Sequence, residues 1–206
     1  TAADLGQVLP RDHQARLTAN SRRHSRVLPA LAFLAAQPLV DRRTRPPTAV
    51  EQLDIGAEHE LIWSAMGEVG RKLALTVEIG ASTDTLRRTV TLARSTGCRA
   101  IHFAGHACPD FIALESALGI GCGGGAGGGN GRGGCGDVHW LAAAQLRELF
   151  SAGAGHVGQA PPIQFVFVSA CQSQGAGQAF VQAGVPHVVA SRAPVMDKAA
   201  HLFCRQ

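Results

Sequence analysis

The sequence predicts an α/β fold with a mainly parallel central sheet, because apolar runs of strand length alternate with segments of helical period. Five nearly continuous apolar runs have the composition of strands that are buried on both faces: 27–36, 71–80, 99–105, 163–170 and 186–191. Strands that alternate with helices pair in parallel through right-handed crossovers. With 206 residues, of which 46% are hydrophobic, the chain can bury one sizeable core without metal or disulfide crosslinks.

Four segments between these runs have apolar residues at helical spacings. The first follows Gly56, and the second extends from the capping candidates Ser82 and Thr83 to Gly97. The apolar positions of these two helices are Leu61, Ile62, Ala65, Met66 and Val69, and then Leu86, Val90 and Ala93. A third helix is predicted from Trp140, Leu141, Ala144 and Leu149, and a short fourth one over 176–183.

Residues 119–136 are very rich in glycine and interrupt this order. Glycine loses the most backbone entropy on ordering, so we expect a flexible surface insertion. The segment has no GK[ST] motif and no strand-to-helix context, which argues against a phosphate-binding loop.

The positive charge of the chain lies at its beginning. The formal net charge is +4, and the first fifty residues hold eight Arg against three Asp. These arginines have no interleaved aromatics and the chain has no Tyr, so we expect residues 1–26 to be a poorly ordered basic leader, with no nucleic-acid or membrane partner.

Cysteine usage and hydropathy indicate a soluble intracellular, cytoplasmic protein. The six Cys form no CxxC pair, and we find neither a membrane-spanning run nor a signal peptide. The chain begins at Thr1 and stops just after an apolar helical pattern, so we expect a piece of a longer protein. The folded domain would then occupy 27–206 and be cut short at its C-terminal end.

Two reactive side chains follow the carboxyl ends of predicted strands, where open α/β sheets place their sites. His106 follows the run 99–105, and Cys171 follows the run 163–170. If the two strands are neighbours, about 4.8 Å apart, an imidazole and a thiol could share one pocket. A thiol with a pKa of about 8.5 is only slightly ionised at pH 7, so a neighbouring imidazole would activate it, as would the start of the helix that follows.

Other interpretations of these residues are plainer. A Cys at a strand end often only packs, and a His beside Gly often only completes a turn. We interpret His102 and His187 as core histidines with satisfied hydrogen bonds. A zinc set of His106, Cys108, Cys122 and Cys135 has poor spacing, so we expect no metal.

Five segments resemble the CHAT family, a caspase-like group that is related to caspases and separase and is often fused to TPR repeats. They are "LAFLAAQPLV", "LDIGAEHELI", "IHFAGHA", "FVFVSACQSQGAGQAFVQAGVPHVVASR" and "VMDKAAHLF", in the expected order over about 28–203. The most specific marks are Gly-His closing one apolar strand and Ser-Ala-Cys closing the next. The resemblance implies a caspase-like three-layer sandwich.

The resemblance also implies a cysteine endopeptidase that needs no cofactor and acts on a protein or peptide substrate. His106 would be the general base and acid, Cys171 the nucleophile that forms a thioester, and the backbone amides of Ala107 and Cys171 the oxyanion donors. Three charged residues are substrate-binding candidates. Arg192 follows another predicted strand and could meet an acidic substrate side chain or simply be solvated, whereas Asp110 and Glu115, downstream of His106, could equally favour a basic one. Asp197 matches an acidic family position, and we interpret it as a helix-start or loop-anchoring residue.

The chain departs from the family pattern at Ala107, where family members usually have Gly, and at the glycine-rich insertion. These departures leave open an inactive CHAT module that serves as an interaction or regulatory domain. A flavodoxin-like nucleotide-binding domain would also explain the alternation of strands and helices, but it lacks a phosphate-binding motif.

Overall fold

The computed structural model describes residues 30–68, 73–116, 136–153 and 160–194. The basic leader at 1–26, nearly all of the glycine-rich segment and Asp197 lie outside the described residues. Gly136, predicted as the last residue of the insertion, is described, and its carbonyl accepts hydrogen bonds from the backbone N–H groups of Leu39 and Val40.

Strands and helices alternate along most of the described chain. The elements before the middle of the chain are β1 (Ala30–Ala35), β2 (Val40–Asp41), β3 (Thr48–Ala49), α1 (Ile55–Glu68), β4 (Ala74–Ile79) and α2 (Thr83–Thr96). Those that follow are β5 (Cys98–Ala104), β6 (Ala107–Cys108), β7 (Phe111–Glu115), β8 (Val138–Ala142), α3 (Ala143–Gly153), β9 (Phe165–Ser169), α4 (Gln174–Gln182) and β10 (His187–Val189).

The central sheet has five strands in the order β10-β9-β5-β1-β4, and every neighbouring pair is parallel. Each of the five predicted apolar runs supplies one of these strands. The prediction of an α/β fold with a mainly parallel sheet is therefore confirmed.

Helices cover both faces of this sheet and complete three layers. On one face, Ile55 and Ile62 of α1 pack against Phe33 of β1 and Ala104 of β5. The other face is covered by α2, α3 and α4, whose buried residues join a larger cluster with Leu34, Ile101 and Val166. In the described part of the chain, no helix is both long and apolar enough to cross a bilayer.

Helix α2 matches its prediction closely because both of its ends carry strong local signals. The Ser82 hydroxyl accepts a hydrogen bond from the backbone N–H of Thr85 at 3.3 Å, and Gly97 ends the helix with φ 73°.

The predicted start of the third helix is wrong. Trp140 and Leu141 lie in β8, and the helix begins at Ala143. Short apolar runs fit a period of two as well as a helical period, and here β8 pairs with β7. Strands β6, β7 and β8 form an antiparallel sheet, and β2 pairs with β3; neither pairing was predicted from the sequence.

Candidate functional site

Strands β5 and β9 are neighbours in the sheet, as a pocket shared by His106 and Cys171 requires. Their last registered pair is Ala104 with Ser169, and the backbone N–H of Gly105 continues the ladder by donating to Ser169 O at 3.1 Å. His106 and Cys171 each follow this pair by two positions. Both residues therefore lie at the same edge of the sheet, at the carboxyl ends of adjacent strands.

The alternation of side chains along β5 and β9 indicates which face of the sheet each residue occupies. His102 and Phe167 are register partners whose rings stack at 4.8 Å on the face covered by α1. Ala104 lies on that face too. The same alternation, continued by two positions past β5, puts His106 on the α1 face, in agreement with its hydrogen bond to Glu51 O. Cys171 lies in a turn, where the alternation of a strand does not apply.

The imidazole of His106 has a defined hydrogen bond. Its Nε2 lies 2.7 Å from the backbone carbonyl oxygen of Glu51, in the segment that leads into α1. A carbonyl oxygen can only accept, so Nε2 carries the ring proton and Nδ1 presents its lone pair in the neutral imidazole. The segment is itself held in place, since the Gln37 side chain donates to Leu53 O at 2.7 Å.

Cys171 is half-buried and opens the tight turn between β9 and α4. Gln172, the next residue, has φ 48°, and its N–H donates to the carbonyl of Ala193 at 3.2 Å. The segment after β10 therefore supports the turn that carries the thiol.

Ser173 is a part of this turn that sequence reasoning missed. Its side chain is 1% exposed, and its hydroxyl accepts from the N–H of Ser191 at 3.0 Å and donates to Val168 O at 3.5 Å. A Ser directly before a helix suggests an N-cap, but this one makes no capping bond to α4. It instead joins the turn to the segment after β10.

Gly175 brings the Cys171 turn against the hairpin that follows His106. A Cβ atom at Gly175 would lie 2.8 Å from Oδ1, 2.9 Å from N and 3.0 Å from Cα of Asp110. Asp110 is exposed, with φ 68°, in the turn between β6 and β7. The first turn of α4 and this hairpin are thus in backbone contact, which places Asp110 beside the Cys171 turn.

The backbone amide of Ala107 points away from β7. The N–H of Ala113 donates to His106 O at 2.9 Å, which makes His106 and Ala113 a hydrogen-bonded pair. Since such pairs alternate in antiparallel ladders, Ala107 and Ile112 form the non-hydrogen-bonded pair. The Ala107 N–H is directed outward from the hairpin, beside His106.

With this geometry in place, comparison with known proteins identifies the family. The family model described as CHAT domain matches residues 6–206, nearly the whole chain. The chain belongs to the CHAT domain family. The three-layer fold around a parallel sheet is the caspase-like arrangement that the family resemblance implied. No curated protein matches the chain.

The remaining candidate residues of this CHAT domain lie on either side of the sheet edge at which His106 and Cys171 follow β5 and β9. Arg192 is exposed after β10 and lines a groove of about 340 Å³ between α4 and β10. Glu115 is the last residue of β7, and its carboxylate accepts from the backbone N–H of Gln37 at 3.2 Å, just past the end of β1. Strand β1 lies on the far side of β5 from β9. Among the described residues, no group of three or more His, Cys, Asp or Glu is placed to hold a metal ion.

Two other described thiols have environments that suppress ionisation. Burial raises the pKa of the Cys98 thiol, which is 4% exposed. Burial also raises the pKa of the Cys108 thiol; Asp110 and Asp41 raise it further, while Arg43 acts in the opposite direction. Both thiols should therefore react slowly with electrophiles.

Replacing Ser173 with alanine is expected to destabilise the CHAT domain by about 1–3 kcal/mol, because the partly buried N–H of Ser191 would lose its acceptor and the buried hydroxyl would leave a gap. Urea denaturation of the Ser173→Ala variant measures the change. Ser95→Ala is the matched control, since Ser95 is exposed on α2 and its hydroxyl bonds only locally, to Leu92 O. Equal stability of the two variants would contradict the joining role of Ser173.

Proposed function

We propose that this CHAT domain is a caspase-like cysteine endopeptidase that cleaves a protein partner through the dyad of His106 and Cys171. The observation that carries the proposal is the pairing of β5 with β9, since it brings the positions after both strands to one edge of the sheet. The bond from His106 Nε2 to Glu51 O supports it further by leaving Nδ1 available as the base.

In the proposed reaction, Nδ1 of His106 takes the proton of the Cys171 thiol. The thiolate attacks the peptide carbonyl carbon, and the resulting imidazolium protonates the leaving amine as the C–N bond breaks. A thioester to Cys171 remains. His106 then takes a proton from water, the hydroxide attacks the thioester carbonyl, and the restored thiol leaves with that proton.

Backbone groups near the dyad would stabilise the charged species. The outward N–H of Ala107 and the N–H of Cys171 are the proposed donors to the oxyanion, and each well-aimed donor is worth about 3 kcal/mol. Helix α4 begins at Gln174, three residues after Cys171, so its N-terminal dipole would stabilise negative charge that develops at this turn during the reaction.

The presence of Ala107, where family members usually have Gly, is compatible with an oxyanion role for its backbone N–H. Ala107 lies in β6, and among the described residues only Asp110 and Gln172 are non-glycine residues with positive φ. The position therefore does not require the conformational freedom of glycine. This weakens the main argument for the alternative, an inactive CHAT module that acts as an interaction or regulatory domain.

Charged residues on two sides of the Cys171 turn are proposed to select the substrate. Asp110 contacts the start of α4 through Gly175, and Arg192 adjoins Ala193, which bonds to Gln172. Asp110 would favour a basic substrate side chain and Arg192 an acidic one. Glu115 is the weaker acidic candidate, because its carboxylate already bonds to Gln37 N–H.

A peptide bearing a thiol-reactive electrophile tests the dyad. We expect Cys171 to be modified preferentially among the six cysteines, and His106→Ala to slow its modification by about tenfold or more, because the thiolate fraction falls. Mass spectrometry of the digested protein measures the site and the rate.

His139→Ala is the control, since His139 is exposed on β8. Equal modification of Cys171 and Cys108 in the unaltered protein, or a Cys171 rate that does not respond to His106→Ala, would count against the peptidase and favour the interaction module.

A further inference from the structure

The imidazole of His102, on β5 itself, is buried and paired with a carboxylate. His102 Nε2 lies 2.6 Å from Glu58 Oε1, and the two side chains are 8% and 4% exposed. Glu58 lies in the first turn of α1, so the pair joins that helix to the centre of the sheet. The proposed peptidase chemistry uses neither residue.

Aromatic rings hold the His102 imidazole on both sides. Phe33 of β1 lies 5.3 Å away and Phe167 of β9 lies 4.8 Å away, measured between ring centroids. The orientation of the ring is therefore fixed by three neighbouring strands, and the bond to Glu58 can form at only one position of α1 along the sheet.

Strand β5 and the region around the start of α1 are also joined by a second hydrogen bond, at His106. His102 and His106 are four residues apart on one strand and its extension, and they bond to Glu58 and to the Glu51 carbonyl respectively. Glu51 and Glu58 are separated by seven residues, with α1 starting between them. Only three residues lie between Glu51 and the start of α1 at Ile55, and the Gln37 side chain holds one of them by its bond to Leu53 O. A shift of α1 against β5 would strain this short connection and displace the Glu51 carbonyl from Nε2 of His106.

Stability alone does not explain such a pair. Desolvating a carboxylate and an imidazole is costly, and replacing a buried ion pair with apolar residues of similar size is often neutral or stabilising. A directional hydrogen bond between Glu58 and His102 instead specifies one position of α1 along β5.

We propose that Glu58 and His102 are positioning residues that fix α1 on β5 and so hold the Glu51 carbonyl at Nε2 of His106. The inference deepens the proposed peptidase and rests on it for the meaning of a well-placed imidazole. On this proposal, the bond between Glu58 and His102 determines which nitrogen of the His106 ring carries the proton, although neither residue takes part in the reaction.

The first experiment reads the His106 ring directly, in the full chain. Nitrogen-15 NMR of the imidazoles, assigned with a His106→Ala spectrum, should show Nε2 protonated and Nδ1 free in the unaltered protein. We expect Glu58→Ala to give a mixture of both tautomers. Glu58→Gln keeps an oxygen that accepts from His102, so it should largely restore the single tautomer.

Glu60→Ala is the matched control, because Glu60 is an exposed glutamate on the same helix. It should leave the His106 signals unchanged. Glu58→Leu combined with His102→Leu provides a second test in case Glu58→Ala unfolds, since an apolar pair is expected to keep the fold while losing the directional bond.

Hydrolysis of a peptide substrate gives the second readout. Glu58→Ala is expected to lower kcat by about 10- to 100-fold with KM within about twofold, since substrate contacts stay while the base is misplaced by about 1 Å. Glu58→Gln should recover most of the rate.

The outcomes separate this inference from the proposed function. If the protein hydrolyses no peptide but its His106 tautomer depends on Glu58, the proposed peptidase function is wrong and the positioning role is supported. Folded Glu58→Ala or double-leucine protein with the unaltered tautomer would overturn the positioning role. Unfolding of both would overturn it too, because the pair would then be required by the fold itself.

Discussion

Replacing Cys171 with alanine is expected to abolish peptide hydrolysis, with a fall in kcat of about 10⁴-fold or more. The proposed reaction passes through a thioester to this sulfur, so the substitution removes the nucleophile itself. Cys171 is half-buried, so the loss of its Sγ should change the free energy of unfolding little. Initial rates and urea denaturation, measured on the same preparations, check both expectations.

Cys108→Ala is the matched control for this prediction. Cys108 is also half-buried and lies two residues after His106, but burial raises the pKa of its thiol. Its removal should leave kcat within about twofold of the unaltered value. If Cys108→Ala abolishes hydrolysis and Cys171→Ala does not, the assignment of the nucleophile is wrong.

Introducing a Cβ at Gly175 is expected to lower kcat/KM by about 100-fold. The new atom would overlap the N and Cα atoms of Asp110, which are backbone atoms and cannot rotate away as a side chain can. The Cys171 turn and the hairpin after His106 would have to separate, and a misplacement of about 1 Å costs about two orders of magnitude in rate. We also expect a loss of about 1–3 kcal/mol in stability from overpacking.

Gly67→Ala is the control for the Gly175→Ala variant. A Cβ at Gly67 of α1 meets no atom within 4 Å, and alanine favours the helical backbone. This variant should be as active as the unaltered protein and at least as stable. Equal kcat/KM for the two variants would show that the contact between Gly175 and Asp110 does not set the dyad geometry.

The parts of the fold that were predictable are those with strong local signals. The strands of the central sheet are buried on both faces, so their apolar runs are nearly continuous, as in Ala30–Ala35 and Phe165–Ser169. Ser82 and Gly97 define the ends of α2 through one hydroxyl and one left-handed backbone position.

The small antiparallel sheet could not be predicted in the same way. Strand β6 has only two residues, and β8 is separated from β7 by the glycine-rich segment. Trp140 and Leu141 fit a helix and a strand equally well until the pairing with β7 is known.

At the site, the side chains of interest could be predicted from the sequence, but the backbone groups that contact them could not. His106 and Cys171 have recognisable chemistry and follow clear strand runs. The carbonyl of Glu51 has no sequence signature, because every residue carries one and the glutamate side chain is not the group that bonds. Gly175 and Ser173 matter through packing and through a bond to a distant N–H, and neither is visible before the chain is folded.

The pairing of β5 with β9 also bears on the order in which the molecule acquires its chemistry. Sixty residues separate Ala104 from Phe165, and closing so long a loop is slow compared with forming a helix or a hairpin. During synthesis, His106 is added to the chain well before Cys171. If the proposed function holds, reactivity is a property of the completed sheet, because the Cys171 thiol reaches the edge beside His106 only when β9 has paired with β5.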